Sequence, residues 1–291
     1  APSHRWRQAQ SIDELAAMAS KRLPAFAWEY LNAGAEDERT LNDNRRAFQR
    51  WQWRPRTLID LSEIDSSATL LGKECAMPLA IAPTGYNGML WRDADIALAR
   101  AAQQHDIPFT LSTVSCNSLE EIAAAVPAGR LWFQLYPLRD KQATRDLIER
   151  AQVANAEALV VTTDAVVLGR REWDNRSYQN PRRLTLRHAF DAFFHPYWAA
   201  QALWPHGLPT LGNLLKYLPH GEHSAASAAT YISQQMATDF TWESLAEIRQ
   251  QWSGKLIVKG ILNAEDARHC QRLGADAIVV TNHGGRQLDD S

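Results

Sequence analysis

The feature that most constrains this chain is a repeat in which short apolar, β-branched runs recur, each followed by a stretch whose apolar residues fall three or four apart. Six runs read as strands: Met77 to Pro83, Ile107 to Ser112, Leu131 to Tyr136, Ala158 to Thr163, Lys255 to Gly260 and Ala277 to Thr281. Apolar strands joined by amphipathic crossovers predict a parallel sheet covered by helices. Segments such as Ala94 to Gln104 and Lys141 to Val153 have the stripe that covers a sheet face. Ser118 with Glu121, and Ser11 with Glu14, have the spacing of capping boxes and predict helix starts, the second in a helix that precedes the strand series.

The strands begin roughly 22 to 30 residues apart, one βα unit each, except for about 95 residues between the fourth and fifth, far longer than an ordinary connection. An α/β fold of the (β/α)₈ TIM-barrel class is therefore expected, with about the first six βα units present and a long insertion after strand 4. An open, doubly wound sheet is the alternative. It is weakened by Ala82-Pro83-Thr84-Gly85-Tyr86-Asn87-Gly88 after the first strand, which is not a G-x-G-x-x-G turn. The chain is read as one domain, 1–291, that stops short of the last two units at its C-terminal end. Its insertion, 176–228, mixes Arg182, Arg183, Arg187, His188, His195 and Lys216 with Phe190, Phe193, Phe194, Tyr197, Trp198 and Trp204. Two readings stand: a lid packed on its own aromatics, or a membrane-surface anchor whose aromatics and cations suit the headgroup layer.

Composition narrows the class of function. Lys plus Arg (31) nearly cancel Asp plus Glu (33), so nucleic acid is not an expected partner. Cys75, Cys116 and Cys270 are widely separated, which argues against a disulfide scaffold or a metal cluster and for a reducing, cytoplasmic setting. No apolar run reaches the roughly 18 residues of a membrane span, and the first residues do not read as a signal peptide.

Polar residues gather at the C-terminal ends of the strands, where a barrel keeps its chemistry: Thr84, Ser112, Gln134, Tyr136, Thr162, Asp164, Lys259, Asn282, His283 and Arg286. Any one of Thr84, Ser112, Gln134 or Thr162 is ordinarily a satisfied group at a strand end. Their recurrence at the same end of successive strands favours a ligand. His283 sits before Gly284 and Gly285 with Arg286 three positions on, and Asp164 is the type of residue that fixes an imidazole tautomer and stabilises its protonated form. Arg171 offers a second guanidinium, and two such groups suit a carboxylate substrate; the alternative is a solvated loop in which Arg170 and Arg171 pair with Glu172 and Asp174. Lys259, emerging from a buried strand, fits a Schiff-base nucleophile or an electrostatic partner for an anionic cofactor.

Phe133-Gln134-Leu135-Tyr136, Thr163-Asp164, Gly169-Arg170-Arg171-Glu172, Ile257-Val258-Lys259-Gly260 and Asn282-His283-Gly284-Gly285-Arg286-Gln287-Leu288-Asp289 resemble the FMN-dependent L-2-hydroxy-acid oxidase and dehydrogenase family. Leu23-Pro24 through Tyr30 and Gly34-Ala35-Glu36-Asp37-Glu38 match as well, so the likeness covers nearly the whole chain. Ala82-Pro83-Thr84-Gly85, Asn87-Gly88 and Leu90-Trp91 look most like the mandelate-oxidising branch, with the lactate-oxidising branch next. The resemblance implies an enzyme that oxidises a small 2-hydroxy acid, mandelate or lactate in type, to the 2-keto acid. Electrons would pass through FMN to a quinone or similar acceptor, oxygen being the alternative. It implies His283 as base, Asp164 as its partner, and Tyr136 on the substrate hydroxyl. Arg171, Arg286 and Tyr30 would hold the substrate carboxylate. Pro83, Thr84, Gly85, Ser112, Gln134, Thr162 and Thr281 would line the flavin, with Lys259 at its N1 and O2 edge.

Three further expectations follow from the likeness. Gly85 and Val114 are expected to leave room for a bulky substrate side chain. His195-Pro196-Tyr197-Trp198 and Gly207-Leu208-Pro209 resemble the membrane-associating segment of mandelate-oxidising members, so a cytoplasmic protein peripheral to the inner face of the cell membrane is expected, and the resemblance to a commonly tetrameric family implies a homotetramer. The family binds the FMN phosphate in the seventh and eighth units, so the expectation is weak flavin retention by this chain alone; at the limit it is a silent barrel fragment.

Overall fold

The computed structural model describes residues 4–167, 169–172, 178–179, 183–204, 207, 209–218 and 225–291. Nine short strands occur among them: β1 (Ala68–Leu70), β2 (Lys73–Cys75), β3 (Phe109–Ser112), β4 (Leu131–Leu135), β5 (Ala158–Thr162), β6 (Tyr178–Gln179), β7 (Arg183–Leu184), β8 (Lys255–Ile261) and β9 (Ala277–Val280). Five of these form one parallel sheet in the order β3-β4-β5-β8-β9. The order follows the sequence without reversal, as the staves of a barrel do, and lacks the switch point of a doubly wound sheet.

Met77 to Pro83, expected as a full strand, pairs at a single position. Ile81 bridges Phe109, donating its N–H to Pro108 O (2.8 Å) and accepting from Thr110 N (3.0 Å). Pro78 and Pro83 have no N–H to give, which limits the ladder to the residues between them. The other five strands lie where expected, with ends shifted by one or two residues. β8 runs past Gly260 to Ile261 through an irregularity, and Tyr136, Thr163 and Thr281 stand just outside their strands.

The pleat sorts residues between two faces. Phe133, Leu135, Leu159, Val161, Leu256 and Val258 are buried under the crossover helices, among them Ala94–Gln104, Leu119–Ala125, Lys141–Val153 and Trp242–Gln251. Trp132, Ala158, Val160 and Ile257 pack together on the opposite face with Leu71, Ala80 and Ala277. Arg130 ties the β1–β2 hairpin across the strands' N-terminal ends, donating to Glu74 O (3.1 Å) and Leu70 O (2.9 Å) while pairing with Glu157. The sheet interior is thus covered at that end, and its polar end is the opposite one.

Ser118 and Glu121 form a complete capping box. The Ser11 box is only half made: Ser11 Oγ accepts from Glu14 N, but the Glu14 carboxylate takes Gln10 N.

The described part of the insertion divides between buried and exposed side chains. Leu186–Phe193 is a helix capped by Thr185, followed by a short turn of helix at Pro196–Trp198. Trp198, Leu211 and Leu214 are buried, whereas Phe190, Phe193, Phe194, Tyr197 and Trp204 are exposed. Trp198, which enters both readings of the insertion, turns inward: it packs edge-on to Phe26 and donates Nε1–H to Met89 O (2.7 Å). Arg182 and Leu208, of the same segment, lie outside the described residues. No helix among the described residues is long and apolar enough to cross a membrane.

Candidate active site

Ser112, Gln134, Thr162 and Lys259 stand side by side on neighbouring strands, Ser112 opposite Gln134 and Thr162 opposite Lys259 in the registers. All four are buried. Ser112 Oγ donates to Gln134 Oε1 (2.9 Å), and Gln134 Nε2 donates to Thr162 Oγ1 (2.8 Å). The result is one polar band across the end of an otherwise apolar barrel interior. Burying such groups is costly unless they are paired, and here they satisfy one another.

Beside the band lie the ionisable groups. His283 Nδ1 is 2.9 Å from Asp164 Oδ1, and its Nε2 is 3.4 Å from Tyr136 Oη. Lys259 Nζ is 3.3 Å from His283 Nδ1 and 3.9 Å from Asp164 Oδ2. Burial pushes the Lys259 pKa down, and the Asp164 charge opposes that only in part. Burial also raises the Tyr136 pKa, with Asp164 and Tyr30 adding to the rise; Arg171 and Arg286 act in the opposite direction, which puts both guanidiniums within electrostatic range of the phenol.

The backbone that holds these groups is specialised. His283, Gly284 and Gly285 all have positive φ (60°, 68° and 70°), a tight left-handed run that two glycines make accessible. Thr281 Oγ1 accepts from His283 N (3.1 Å), which fixes the loop just past β9. Asn282 exchanges two side-chain hydrogen bonds with Asn44 (2.8 and 3.0 Å). Gly260, with φ of 106°, lies so close to Asp164 that a Cβ there would come within 2.6 Å of the Asp164 Cβ.

Tyr30 reaches the site from the helix Ala25–Asn32 and donates its hydroxyl to Gly85 O (2.9 Å). Arg286 lies over the Tyr30 ring at 5.5 Å and grips the end of that helix, donating to Tyr30 O (2.7 Å) and Ala33 O (2.6 Å). A guanidinium carries five N–H donors, so this grip is compatible with a carboxylate ligand. Pro83 and Thr84 follow the Ile81 bridge, and Thr84 Oγ1 accepts from Asn87 Nδ2 (2.8 Å).

The space left by Gly85 is not open. A Cβ there would collide with Cγ2 of Val114, so the glycine serves the packing of two loops.

One residue behind Thr84 and Asn87 carries no signal in the sequence. Asp95 is almost wholly buried at the start of the helix Ala94–Gln104, where it accepts from Asn87 Nδ2 (2.7 Å) and Cys116 N (3.2 Å). Burial raises its pKa, opposed by those hydrogen bonds. A helical Asp beside an Asn eight positions earlier has no pattern that a linear reading recognises.

The profile of the FMN-dependent dehydrogenases matches residues 19–291, nearly the whole chain. The chain belongs to the FMN-dependent dehydrogenase family. (S)-Mandelate dehydrogenase of Pseudomonas putida is 40% identical over 280 residues, 96% of this chain and 70% of the relative. L-Lactate dehydrogenase of Alcaligenes faecalis is 40% identical over 277 residues, 93% of this chain and 71% of the relative. Among solved structures, the monotopic membrane protein (S)-mandelate dehydrogenase superposes with a TM-score of 0.91 at 40% identity, covering 97% of this chain and 74% of the other. A mandelate oxidase bound to (S)-4-hydroxymandelic acid superposes with a TM-score of 0.78 at 36% identity, covering 97% and 73%. The fold is therefore the TIM barrel of this family, and the chain is an FMN-dependent oxidoreductase acting on CH–OH groups.

The residues at the mouth suit FMN. The buried band ends in Lys259, a cation beside a line of amide and hydroxyl groups, which is the donor set that a planar, acceptor-rich ring system requires. Membership of an FMN-dependent family removes the Schiff-base reading of Lys259.

Proposed function

We propose that this dehydrogenase oxidises an L-2-hydroxy acid of the mandelate or lactate type to the 2-keto acid and delivers the electrons to a quinone-type acceptor. The line Tyr136–His283–Asp164 supports the reading above all. Asp164 occupies Nδ1, so Nε2 is the nitrogen aimed at the site, and it faces the Tyr136 hydroxyl. A proton taken on Nε2 creates an imidazolium that Asp164 neutralises. FMN, when bound, supplies the two-electron acceptor.

Each remaining residue manages charge. Arg171 and Arg286 hold the substrate carboxylate with help from Tyr30, which orients C2 toward His283. Tyr136 keeps its proton because burial raises its pKa, and so it can donate to the substrate oxygen. Lys259, with Pro83, Thr84, Gly85, Ser112, Gln134, Thr162 and Thr281, lines the cofactor. Its charge stabilises the negative charge that substrate oxidation transfers.

The insertion is proposed to rest on a membrane through Phe190, Phe193, Phe194, Tyr197 and Trp204, whose exposure is what a headgroup-layer contact requires. A membrane acceptor follows from that placement, on a cytoplasmic, membrane-peripheral homotetramer in which residues 1–291 form one catalytic domain. Anaerobic titration of the FMN-loaded protein with (S)-mandelate and with L-lactate tests the reaction. Bleaching of the flavin spectrum by at least one is expected, and no bleaching by either rejects it. Little peroxide per turnover in air separates a quinone acceptor from oxygen. Serine at all five exposed aromatics is expected to abolish pelleting with anionic liposomes while Trp198, Leu211 and Leu214 keep the segment folded; unchanged pelleting rejects the membrane contact.

A further inference from the structure

The helix Ala25–Asn32 begins badly by its own sequence. Its N-cap is Pro24, which has no side-chain oxygen to give, and its first turn contains no acidic residue. The missing acceptor comes from 166 positions away: Asp191 Oδ2, on the helix Leu186–Phe193 of the insertion, accepts from Ala25 N at 2.7 Å. At the other end the carbonyls of Tyr30 and Ala33 are taken by Arg286, three residues after His283. An anion thus sits at the N-terminus and a cation at the C-terminus, each complementing the helix dipole and neither local in sequence.

Side-chain packing reinforces the same connection. Phe26, in the first turn, is buried edge-on to Trp198 (ring centroids 5.5 Å apart) and His188 (6.3 Å). Trp198 in turn donates to Met89 O, and Met89 N donates to Tyr86 O (3.0 Å). The insertion therefore holds both elements that the Tyr30 hydroxyl bridges when it donates to Gly85 O, namely the helix that carries Tyr30 and the loop that carries Gly85.

From this geometry we infer that Asp191 is a positioning residue for substrate binding: by capping the Tyr30 helix it sets where Tyr30 and Arg286 meet the substrate. The inference rests on the functional reading above, which places Tyr30 and Arg286 on the substrate carboxylate. Asp191 touches neither substrate nor cofactor in this account, so its removal acts on substrate affinity and leaves flavin binding alone. It also makes the aromatic segment and the substrate pocket mechanically continuous. Seating of the insertion on a surface then bears on the same helix.

Two measurements on the FMN-loaded protein test this. In Asp191→Ala, amide hydrogen exchange of residues 25–33 is expected to speed up, and KM for the 2-hydroxy acid that reduces the flavin is expected to rise about three- to tenfold, with kcat and the FMN dissociation constant within twofold. Asp191→Asn keeps an oxygen at the cap and is expected to recover most of the KM. Unchanged exchange in the Ala variant overturns the cap. Faster exchange with unchanged KM, or a loss confined to kcat, overturns the positioning role. An unmodified protein that no 2-hydroxy acid reduces would reject the functional reading instead, and the exchange data would still judge the cap.

Discussion

His283 Nδ1 and Asp164 Oδ1 are 2.9 Å apart, although 119 positions separate the two residues in the chain. The pair leaves Nε2 as the nitrogen that faces Tyr136, and in the proposed reaction Asp164 would supply the counter-charge of the imidazolium. Asp164→Asn keeps the shape but removes that charge. Flavin reduction by substrate is expected to slow about 10²- to 10⁴-fold, with FMN affinity unchanged, as single-turnover kinetics would report. A slowing below threefold would deny Asp164 the part given to it.

Lys259 is retained at a cost to stability. Burial holds its pKa below the ordinary 10.5, so between the folded and unfolded values the unfolded chain binds more protons, and stability rises with pH toward 10.5. Lys259→Met removes that dependence. The variant is expected to melt higher than the unmodified protein at pH 7, with a flatter profile in alkaline buffer, and to reduce its flavin more slowly by about tenfold or more. Calorimetry across pH checks the first expectation and stopped flow the second.

Gly260→Ala puts a methyl group against Asp164 in a backbone conformation, φ of 106°, that L-residues avoid. A loss of about 1–3 kcal/mol in urea unfolding is expected, together with slower flavin reduction. Gly274 has a similar φ of 88° but nothing near its Cβ direction. Gly274→Ala is the control, and it should affect stability alone.

What the sequence revealed was what alternation and punctuation encode. β4, β5 and β8 were legible because Leu135, Val161 and Val258 alternate with Gln134, Thr162 and Lys259, each type taking a different face of the sheet. His283 was legible because two glycines and an arginine surround it. Contacts between residues far apart in sequence were not: Arg286 with the carbonyls of Tyr30 and Ala33, and Asn44 with Asn282, each depend on a partner that only folding supplies. Composition marked the insertion as aromatic but could not say that Trp198 turns inward while Tyr197 stays out. Gly85 read as a gap, and the structure fills that gap with Val114.

Arg130 and Glu157 form a paired, largely buried bridge (2.7 and 2.9 Å) that also anchors the β1–β2 hairpin. Arg130→Met strands the Glu157 carboxylate with Lys73 at 3.8 Å as its remaining cation. A loss of about 3–5 kcal/mol is expected from chemical denaturation. The site lies at the other end of the barrel, so the kcat of the folded fraction should stay within twofold.

The most direct measurement is an anaerobic titration of FMN-loaded His283→Ala beside the unmodified protein, followed by the visible flavin spectrum. Both are expected to hold FMN with the same affinity, (S)-mandelate or L-lactate is expected to bleach the unmodified protein, and the variant is expected to stay yellow over the same interval. Bleaching of the variant at an undiminished rate would contradict the role of His283 as the base.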